Sequence, residues 1–288
     1  MSYKISKLSY SAPKPSLILN IDTDLEITDI CYVDKIGFLL LLPEHHCVGK
    51  ISDGKIDIPW IGQLNQGGIK DGSLAKLDHP SSMCYLKDQD LCFIIESGGS
   101  RIRKIQLWNK HAVALLGENS YGRLSSFFVN VDDIGALKTD CGVDIRGNIY
   151  WVVDGINRCF KYDVNMGDIE CYAGDGHSGF SVSNNLHSCR LNNPRGIFVD
   201  EKAIYLSDAK NYCIRKVTDG MISIVTGNPL KNAIYPTKIR GCKNTLYFIN
   251  GNEIKYSVNN DVGVLYESEG IISIDADDKK NLFILEKT

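Results

Sequence analysis

Short apolar runs that repeat along the whole chain predict an all-β protein, built as a closed ring of six four-stranded sheets. Residues 191–228 show the repeat most completely, with four runs rich in Ile, Val and Tyr: GIFVD, AIYLSD, CIRKVT and ISIVTG. The segments between them, DEK, AKNY and TDG, are short and polar and contain turn-formers. Runs of this length between such turns predict a four-stranded antiparallel meander. One such sheet cannot bury both faces, so it needs neighbouring copies.

Five further copies are predicted from the rest of the chain. The six units are assigned to residues of about 24–68, 74–118, 134–175, 186–228, 231–268 and 270–288, with residues 1–22 added to the last. The sixth copy supplies only two strands, and the N-terminus holds two strand-like runs, YKISKLSY and SLILNI. We therefore expect strands from both chain ends to share the sixth sheet, because this closure removes the open sheet edge.

The number of sheets comes from one apolar position that recurs in the first strand of each copy. The residues assigned to it are Ile30, Met83, Val143, Ile197, Ile239 and Ile274. Six first strands predict six blades arranged around an axis. A length of 288 residues is within the range that closed all-β folds reach as a single domain.

Composition indicates an ordinary soluble protein without membrane association. The chain is 43% hydrophobic and 23% charged, with a formal net charge of −3, values typical of globular domains. No apolar run reaches the length of a membrane span, and the N-terminal residues lack the apolar core and cleavage site of a secretory signal. We expect a cytoplasmic protein, acting as a monomer.

The cysteines are expected to be buried thiols. The chain has ten of them, and Cys47, Cys159 and Cys213 recur at the opening of the third strand in three copies. Equivalent positions on different blades lie too far apart for a disulfide, and no CxxC pair suggests a zinc ribbon. Free thiols used as small apolar side chains are typical of a reducing compartment.

Three of the copies carry a more specific pattern. HPSSMCY with IIESGGSRIRKI, NPRGIFV with YLSDAKNYCIRKV, and GVDIRGNIYWVVDGINR combine a first strand entered through Pro or Gly, an acidic end to the second strand and a basic third strand. Gly-rich connectors at 67–80 and 173–194 precede two of them. The pattern resembles NHL repeats, and the resemblance implies a six-bladed β-propeller over residues 1–288. Relatives in that family bind RNA, bind proteins or act as lyases, so the resemblance does not determine one function.

The acidic position at the end of the second strand is expected to be structural. It holds Glu96, Asp154, Asp208 and Glu286 in four copies, and Leu42 or Asn250 in the others. A repeated carboxylate is typical of one that accepts backbone N–H groups of the following turn. Glu96, Asp154 and Asn250 also suggest a lactonase-type site in the channel, but their repeat position explains them better.

Candidate binding residues lie in loops that share one face of the predicted ring. The connections from second to third strand and from blade to blade are on this face, and loops on a rigid scaffold commonly bind partners. The positions differ from blade to blade. The candidates are Arg158, Arg195, Tyr212, His46, Ser100 and Asn252.

The sequence shows no catalytic constellation. Four histidines, His46, His79, His177 and His187, fall in loops of the same face, which leaves a metal site open, but no HxH or HxxxH pair supports one. There is no G-x-S-x-G elbow, and the Gly-rich AGDGHSG is not followed by a helix. We expect no catalytic residues, no metal and no cofactor, and we lean towards a protein that is not an enzyme.

The leading interpretation is a non-enzymatic module that binds a protein or peptide partner. Inserts at 118–135 and 174–190 add distinctive surface, and Phe127, Phe128 and Val129 either pack on the neighbouring blade or form a partner patch.

RNA binding is the first alternative, because residues 101–243 contain 19 Lys and Arg against 14 Asp and Glu, and because Arg158, Arg195 and Tyr212 combine cations with an aromatic ring. Several of these cations, Arg101, Arg103, Arg215 and Lys216, are expected simply to solvate blade flanks. A metal-dependent lyase or lactonase-type enzyme is the second alternative.

Overall fold

Twenty-five strands form six sheets in the computed structural model, which describes residues 1–9, 12–98, 101–116, 123–124, 139–153, 155–183, 185–227, 234–242, 244–259 and 261–288. The chain begins with β1 (Ser2–Ser9) and β2 (Ala12–Asp22). Blade 1 follows with β3 (Asp29–Val33), β4 (Gly37–Leu42), β5 (Cys47–Ser52) and β6 (Lys55–Gly62). Blade 2 comprises β7 (Pro80–Leu86), β8 (Leu91–Glu96), β9 (Arg101–Gln106) and β10 (His111–Leu116).

Blade 3 carries one strand more than the repeat predicts. The two-residue β11 (Arg123–Leu124) pairs in parallel with the outer strand β15. The other members are β12 (Thr139–Val143), β13 (Ile149–Val153), β14 (Asn157–Asp163) and β15 (Asp168–Gly176). Blade 4 consists of β16 (Pro194–Val199), β17 (Ile204–Asp208), β18 (Cys213–Thr218) and β19 (Met221–Gly227). Blade 5 consists of β20 (Ile239–Cys242), β21 (Thr245–Asn250), β22 (Glu253–Val258) and β23 (Asp261–Glu267).

Blade 6 confirms the predicted closure of the ring by both chain ends. Its inner strands are β24 (Ile271–Ala276) and β25 (Asn281–Lys287), and β1 and β2 complete the sheet in the order β2-β1-β25-β24. The β1–β25 ladder runs from Tyr3 opposite Lys287 to Ser9 opposite Asn281. Beyond it, the N–H of Thr288 donates to the carbonyl of Ser2 at 2.9 Å. The fold is therefore a six-bladed β-propeller of four-stranded antiparallel blades, to which β11 adds a short parallel edge in blade 3.

The core lies between blades, as the continuous apolar run of β4 shows. Leu39 and Leu41 pack into a cluster with residues of blade 2, whereas Leu40 and Leu42 pack into a cluster with residues of blade 6. Successive side chains of a strand point to opposite faces, and each blade has a neighbour on both faces. A second strand buried on both sides therefore needs apolar residues without alternation.

The register of blade 3 corrects one sequence assignment. Cys141 faces Trp151 across the ladder of β12 and β13, as Ile30 faces Leu40 in blade 1. Cys141 and Trp151 pack against the preceding blade 2, just as Ile30 and Leu40 pack against the preceding blade 6. The equivalent of Ile30 in blade 3 is thus Cys141, two residues before the predicted Val143.

The acidic end of the second strand is structural, but its partner differs from the prediction. Glu96 Oε1 accepts the N–H of Asp78 at 3.1 Å, and Asp208 Oδ1 accepts the N–H of Asn192 at 2.7 Å. Both donors lie in the connector that enters the blade, not in the turn after the second strand. The carboxylate therefore fixes the incoming chain to the blade.

Some predicted features lie outside the described residues. They include the candidate Ser100, the acidic-position residue Asp154, and Phe127, Phe128 and Val129 of the 118–135 insert.

Candidate functional site

The loops predicted to share one face do so, and we call it the upper face. His46 and Tyr212 occupy equivalent places on it, each following a 3-10 turn, at Pro43–His45 and Ala209–Asn211. Both have left-handed backbone, with φ of 54° and 52°, and each N–H bonds back to the first carbonyl of its turn at 3.0 Å. The repeat predicted this equivalence. The turns fix the backbone position from which the side chains of His46 and Tyr212 project.

Arg195 and Tyr212 meet at the junction of blades 4 and 5 through a residue that the sequence did not single out, Tyr235. The Arg195 guanidinium lies 5.6 Å from the centroid of the Tyr235 ring, and the rings of Tyr212 and Tyr235 are 6.3 Å apart. The N–H of Tyr235 donates to Asn250 Oδ1 at 2.5 Å, which holds the connector in place. All three side chains are partly exposed. We call Arg195, Tyr212 and Tyr235 the Arg–Tyr cluster.

The remaining described candidates lie in other blades. Arg158 is on β14, where its Nη2 donates to the carbonyl of Asp175 at 3.1 Å and its guanidinium packs closely against Gly176. Asn252 is exposed in the turn between β21 and β22, and its carbonyl accepts the N–H of Ser268 at 2.9 Å. The predicted ring of candidates is therefore spread around the upper face, and only part of it forms a cluster.

A second cluster lies at the junction of blades 1 and 2. His79 Nδ1 is 2.8 Å from Asp78 Oδ1, and His46 Nδ1 is 3.5 Å from the same oxygen. The N–H of His79 also donates to His46 Nδ1 at 3.2 Å, and the two imidazole rings meet edge to face with centroids 4.3 Å apart. We call His46, Asp78 and His79 the His–Asp cluster.

The central channel contains buried charges that the sequence analysis missed. Lys238 Nζ lies 2.8 Å from Asp29 Oδ2 and 3.0 Å from Asp140 Oδ1. Both Nη atoms of Arg240 donate to the Asp140 carboxylate at 3.1 Å, and Arg240 Nε is 3.4 Å from Asp275 Oδ1. These residues come from blades 1, 3, 5 and 6. We call them the channel ion network.

The pKa values follow from this pairing. Burial by itself would raise the pKa of Asp140, but Arg240 and Lys238 bring it below its ordinary value. Burial would lower the pKa of Lys238, yet Asp140 and Asp29 raise it. Burial raises the pKa of Asp275. The two cations of the network already serve as counterions for its carboxylates.

A cavity of about 190 Å³ opens where the first strands end on the opposite, lower face. Cys31, Cys84, Cys141, Arg240 and Asp275 are among the residues that line it. Burial raises the pKa of the Cys31 and Cys84 thiols well above their ordinary value. A reactive cysteine needs a low pKa, so neither Cys31 nor Cys84 has the character of an activated nucleophile.

Two of the three residues that suggested a lactonase-type site, Glu96 and Asn250, do not line the central channel. Glu96 is fully buried within blade 2, with its Oε2 3.3 Å from Arg103 Nε. Asn250 accepts the N–H of Tyr235 and donates to Glu253 Oε2 at 3.0 Å. Their repeat position explains both, as the sequence suggested.

Three third-strand arginines predicted to solvate blade flanks are instead buried. Arg103 and Arg215 are 0% exposed and Arg101 is 3% exposed. Arg215 Nη1 lies 3.2 Å from Asp208 Oδ2, which parallels the pairing of Arg103 with Glu96. A buried arginine pairs with a buried carboxylate because an uncompensated buried charge is costly, and these pairs lie inside single blades.

The fold and the decorated upper face define the class: a six-bladed β-propeller. Solved structures of this shape match over nearly the whole chain. A chain of a nidogen–laminin complex has 13% identity and a TM-score of 0.61, covering 99% of this chain and 98% of that one. Virginiamycin B lyase from Staphylococcus aureus has 15% identity and a TM-score of 0.53, covering 99% and 100%.

A gluconolactonase from Xanthomonas campestris is similar to the same degree, with 12% identity and a TM-score of 0.62, covering 92% of this chain and 87% of that one. At such identities the likeness shows the fold alone. No family model matches the chain, and no curated protein matches it either. The NHL assignment therefore remains a resemblance. Among the described residues, no helix has the length and apolar character needed to span a membrane.

Proposed function

We propose that the protein is a non-enzymatic, monomeric interaction module of the cytoplasm that binds a protein or peptide partner through its upper face. The observation that carries the proposal is the Arg–Tyr cluster. Tyrosine and arginine are enriched among the residues that dominate binding energy at protein interfaces. Here two tyrosines and an arginine are partly exposed together at one blade junction.

The Arg–Tyr cluster is held in a shape that favours binding. The backbone of Tyr212 is fixed by its 3-10 turn, and the backbone of Tyr235 is fixed by Asn250. Side chains that are ordered before binding lose less entropy when a partner arrives. A guanidinium pairs bidentately with carboxylates, and tyrosine rings supply apolar area beside it. The chemistry suits a peptide segment that presents an acidic side chain or a terminal carboxylate.

Two features support a binding role over catalysis. The carboxylates that converge in the channel are paired with Lys238 and Arg240, and the thiols Cys31 and Cys84 have raised pKa values. The similar structures include a protein–protein complex and two enzymes, so they favour neither class.

The charge argument for RNA is weaker than the sequence suggested. The basic excess of residues 101–243 includes Arg101, Arg103, Arg215 and Arg240, which are buried, and Lys238, which pairs with Asp29 and Asp140. Phosphate contacts require exposed cations. RNA binding therefore becomes an outcome that the test must distinguish.

The first prediction is that Arg195→Glu combined with Tyr212→Ala abolishes partner binding without unfolding the protein. Wild-type and variant proteins are used as baits in lysate, with and without ribonuclease. Proteins captured by wild type alone are then purified and titrated calorimetrically. Charge reversal replaces attraction by repulsion, and loss of the Tyr212 ring removes contact area, so the affinity of a purified partner should fall at least about a hundredfold, roughly 2.7 kcal/mol.

Lys216→Glu is the matched control. Lys216 Nζ lies 5.9 Å from the centroid of the Tyr205 ring on the same blade, so the control makes the same charge change at another cation–aromatic pair. The proposal holds if the double variant loses partner binding and Lys216→Glu binds the partner as wild type does. It fails if all three proteins capture the same partner equally, or if ribonuclease releases everything that wild type captures.

A further inference from the structure

We propose that the His–Asp cluster of His46, Asp78 and His79 binds one divalent transition-metal ion, with Zn²⁺ as the ion that best fits two imidazoles and a carboxylate. The site is on the upper face, at the junction of blades 1 and 2. It is separate from both the Arg–Tyr cluster and the channel ion network. The proposal does not depend on the proposed binding function.

The ligand atoms converge as a metal site requires. Nδ1 of His46, Nδ1 of His79 and a carboxylate oxygen of Asp78 all lie within 4.8 Å of one another. Ligand atoms at about 2.0–2.2 Å from zinc in a tetrahedral arrangement are roughly 3.4 Å apart. The two separations from Asp78 Oδ1, 3.5 Å to His46 and 2.8 Å to His79, bracket that value. The third separation, between the Nδ1 atoms of His46 and His79, is within 4.8 Å.

Two glycines leave room for the ligands and confine them. A Cβ on Gly67 would lie 2.8 Å from Cε1 and 2.9 Å from Nδ1 of the His46 ring, and a Cβ on Gly98 would overlap the Asp78 carboxylate. Backbone at Gly67 thus packs directly on His46, and backbone at Gly98 packs directly on Asp78. Side chains whose positions are fixed by their surroundings are the basis of a preorganised metal site.

The equivalent connector in blade 4 shows what the fold itself needs at these positions. Asn192 and Asn193 stand there in place of Asp78 and His79. The N–H of Asn192 bonds to the second-strand acid as that of Asp78 does, and Asn193 has the same left-handed backbone as His79, with φ of 54° and 47°. Asparagine adopts this conformation readily. Asparagines therefore satisfy the repeat at these positions, and the carboxylate and imidazole of Asp78 and His79 are not what the fold itself requires.

The hydrogen bonds that His46, Asp78 and His79 make without metal can give way to bonds to an ion. The proton between His79 Nδ1 and Asp78 is given up to solvent or moves to Nε2 of the same ring, and the lone pair of His46 Nδ1, which now accepts a long hydrogen bond, turns to the ion. The side chains of His46, Asp78 and His79 are 16%, 24% and 42% exposed, so an ion can enter from solvent. Three protein ligands leave a position for water or for an oxygen of a partner.

The second prediction is that chelator-treated wild-type protein binds one equivalent of Zn²⁺, measured by calorimetric titration. The double variant Asp78→Asn, His79→Asn takes the residues of the blade 4 connector, so it should fold normally by circular dichroism. Its Zn²⁺ affinity should fall by at least about a hundredfold, because two of three ligands are lost. His177→Asn is the control: His177 Nδ1 lies 3.6 Å from Asp175 Oδ1 in an exposed His–Asp pair, and its loss should leave binding unchanged.

Cobalt separates this site from the ten thiols of the chain. Co²⁺ bound by imidazole and carboxylate gives visible d–d bands without the near-ultraviolet charge-transfer band that a thiolate ligand adds. The proposal is supported by a thiolate-free spectrum that disappears in the Asn–Asn variant and persists in His177→Asn. It is overturned if wild type binds no ion, if the Asn–Asn variant binds as wild type does, or if the spectrum shows thiolate ligation.

Discussion

At the scale of single residues, one backbone position serves the scaffold in blades 2, 4 and 5 while its side chain varies. The N–H groups of Asp78, Asn192 and Tyr235 donate to the side chains that end the second strands of blades 2, 4 and 5, at 3.1, 2.7 and 2.5 Å. Because the fold uses only the N–H, the side chain is available for other contacts. Asp78 belongs to the His–Asp cluster and Tyr235 to the Arg–Tyr cluster, so both proposed sites use this freedom.

Asp140 is the residue on which the channel ion network depends most directly. It contacts both Lys238 and Arg240. Asp140→Asn leaves two cations in the channel with fewer counterions, so the free energy of unfolding should fall by about 3–5 kcal/mol. Chemical denaturation measures this third prediction. Asp57→Asn, on the exposed face of β6, removes the same charge and should change stability by less than about 0.5 kcal/mol.

The same variant should change the acid sensitivity of the fold. The pKa of Asp140 is below its ordinary value in the folded protein, so its contribution is present above the unfolded pKa of about 3.9 and is lost as pH falls through the folded pKa. Asp140→Asn should therefore weaken the decline of the melting temperature below about pH 4. An Asp140→Asn protein with wild-type stability and wild-type acid sensitivity would contradict the role assigned to the network.

At the scale of elements, β1 holds the ring together because it lies between β2 and β25. Ile5 at its centre is 0% exposed and packs in a cluster that includes Phe283 and Leu285 of β25. The fourth prediction is that Ile5→Ala lowers the free energy of unfolding by about 2–5 kcal/mol, the cost of a large-to-small change in a packed core. Leu17→Ala on the neighbouring β2, where Leu17 is 57% exposed, is the control.

The two variants are compared by denaturant unfolding under identical conditions. Leu17→Ala should remain within about 0.5 kcal/mol of wild type. Equal losses in both variants would mean that β1 is no more important to the sheet than its outer edge strand.

The elements themselves were largely predictable, because strands and turns are local features. Apolar runs and turn-formers predicted four-stranded sheets, their number and the closure by both ends. The channel ion network was not predictable in this way. Asp29 and Asp140 each precede the recurring apolar residue of their first strand, but the partners of Asp140, Lys238 and Arg240, lie about a hundred residues further along the chain. Only the folded ring brings a buried charge together with its counterions.

The candidate sites were predictable to the extent that they follow the repeat. The equivalence of His46 and Tyr212 came from aligning the copies, and the structure confirms it. The alignment did not reveal that His46 and His79 are close in space, because they are 33 residues apart in the chain and no short metal motif links them. Tyr235 was missed because its blade is among the weaker copies. Both clusters form where the turn after the second strand of one blade meets the connector that enters the next blade. An alignment of the copies compares equivalent positions and does not show contacts between these two different segments.

At the scale of the whole molecule, the ring is closed by two kinds of contact. The six junctions between neighbouring blades are joined by side-chain packing and a covalent connector, as between blades 1 and 2. The break in the chain lies inside blade 6, where backbone hydrogen bonds between β1 and β25 hold the two chain ends together. Opening the ring therefore requires breaking a β-ladder, which should slow unfolding.

A pair of circular permutants tests this. In both, residue 288 is joined to residue 1 by a linker of about four residues, a length typical of hairpin loops. The first permutant begins at Glu269, in the short connector between β23 and β24, so that every blade is made from one continuous segment. The second begins at Gly54, in the exposed turn between β5 and β6, so that blade 1 is made from both chain ends.

The fifth prediction is that both permutants fold, but that the Glu269 permutant unfolds roughly tenfold or more faster than the Gly54 permutant, a difference of about 1.4 kcal/mol in the barrier. In the Glu269 permutant, blades 5 and 6 are held together by side-chain packing without a ladder across the chain ends. In the Gly54 permutant, the ladder between β5 and β6 takes over the role of the β1–β25 ladder. Stopped-flow unfolding in denaturant measures both rates, and equal rates would show that the shared blade does not control how the ring opens.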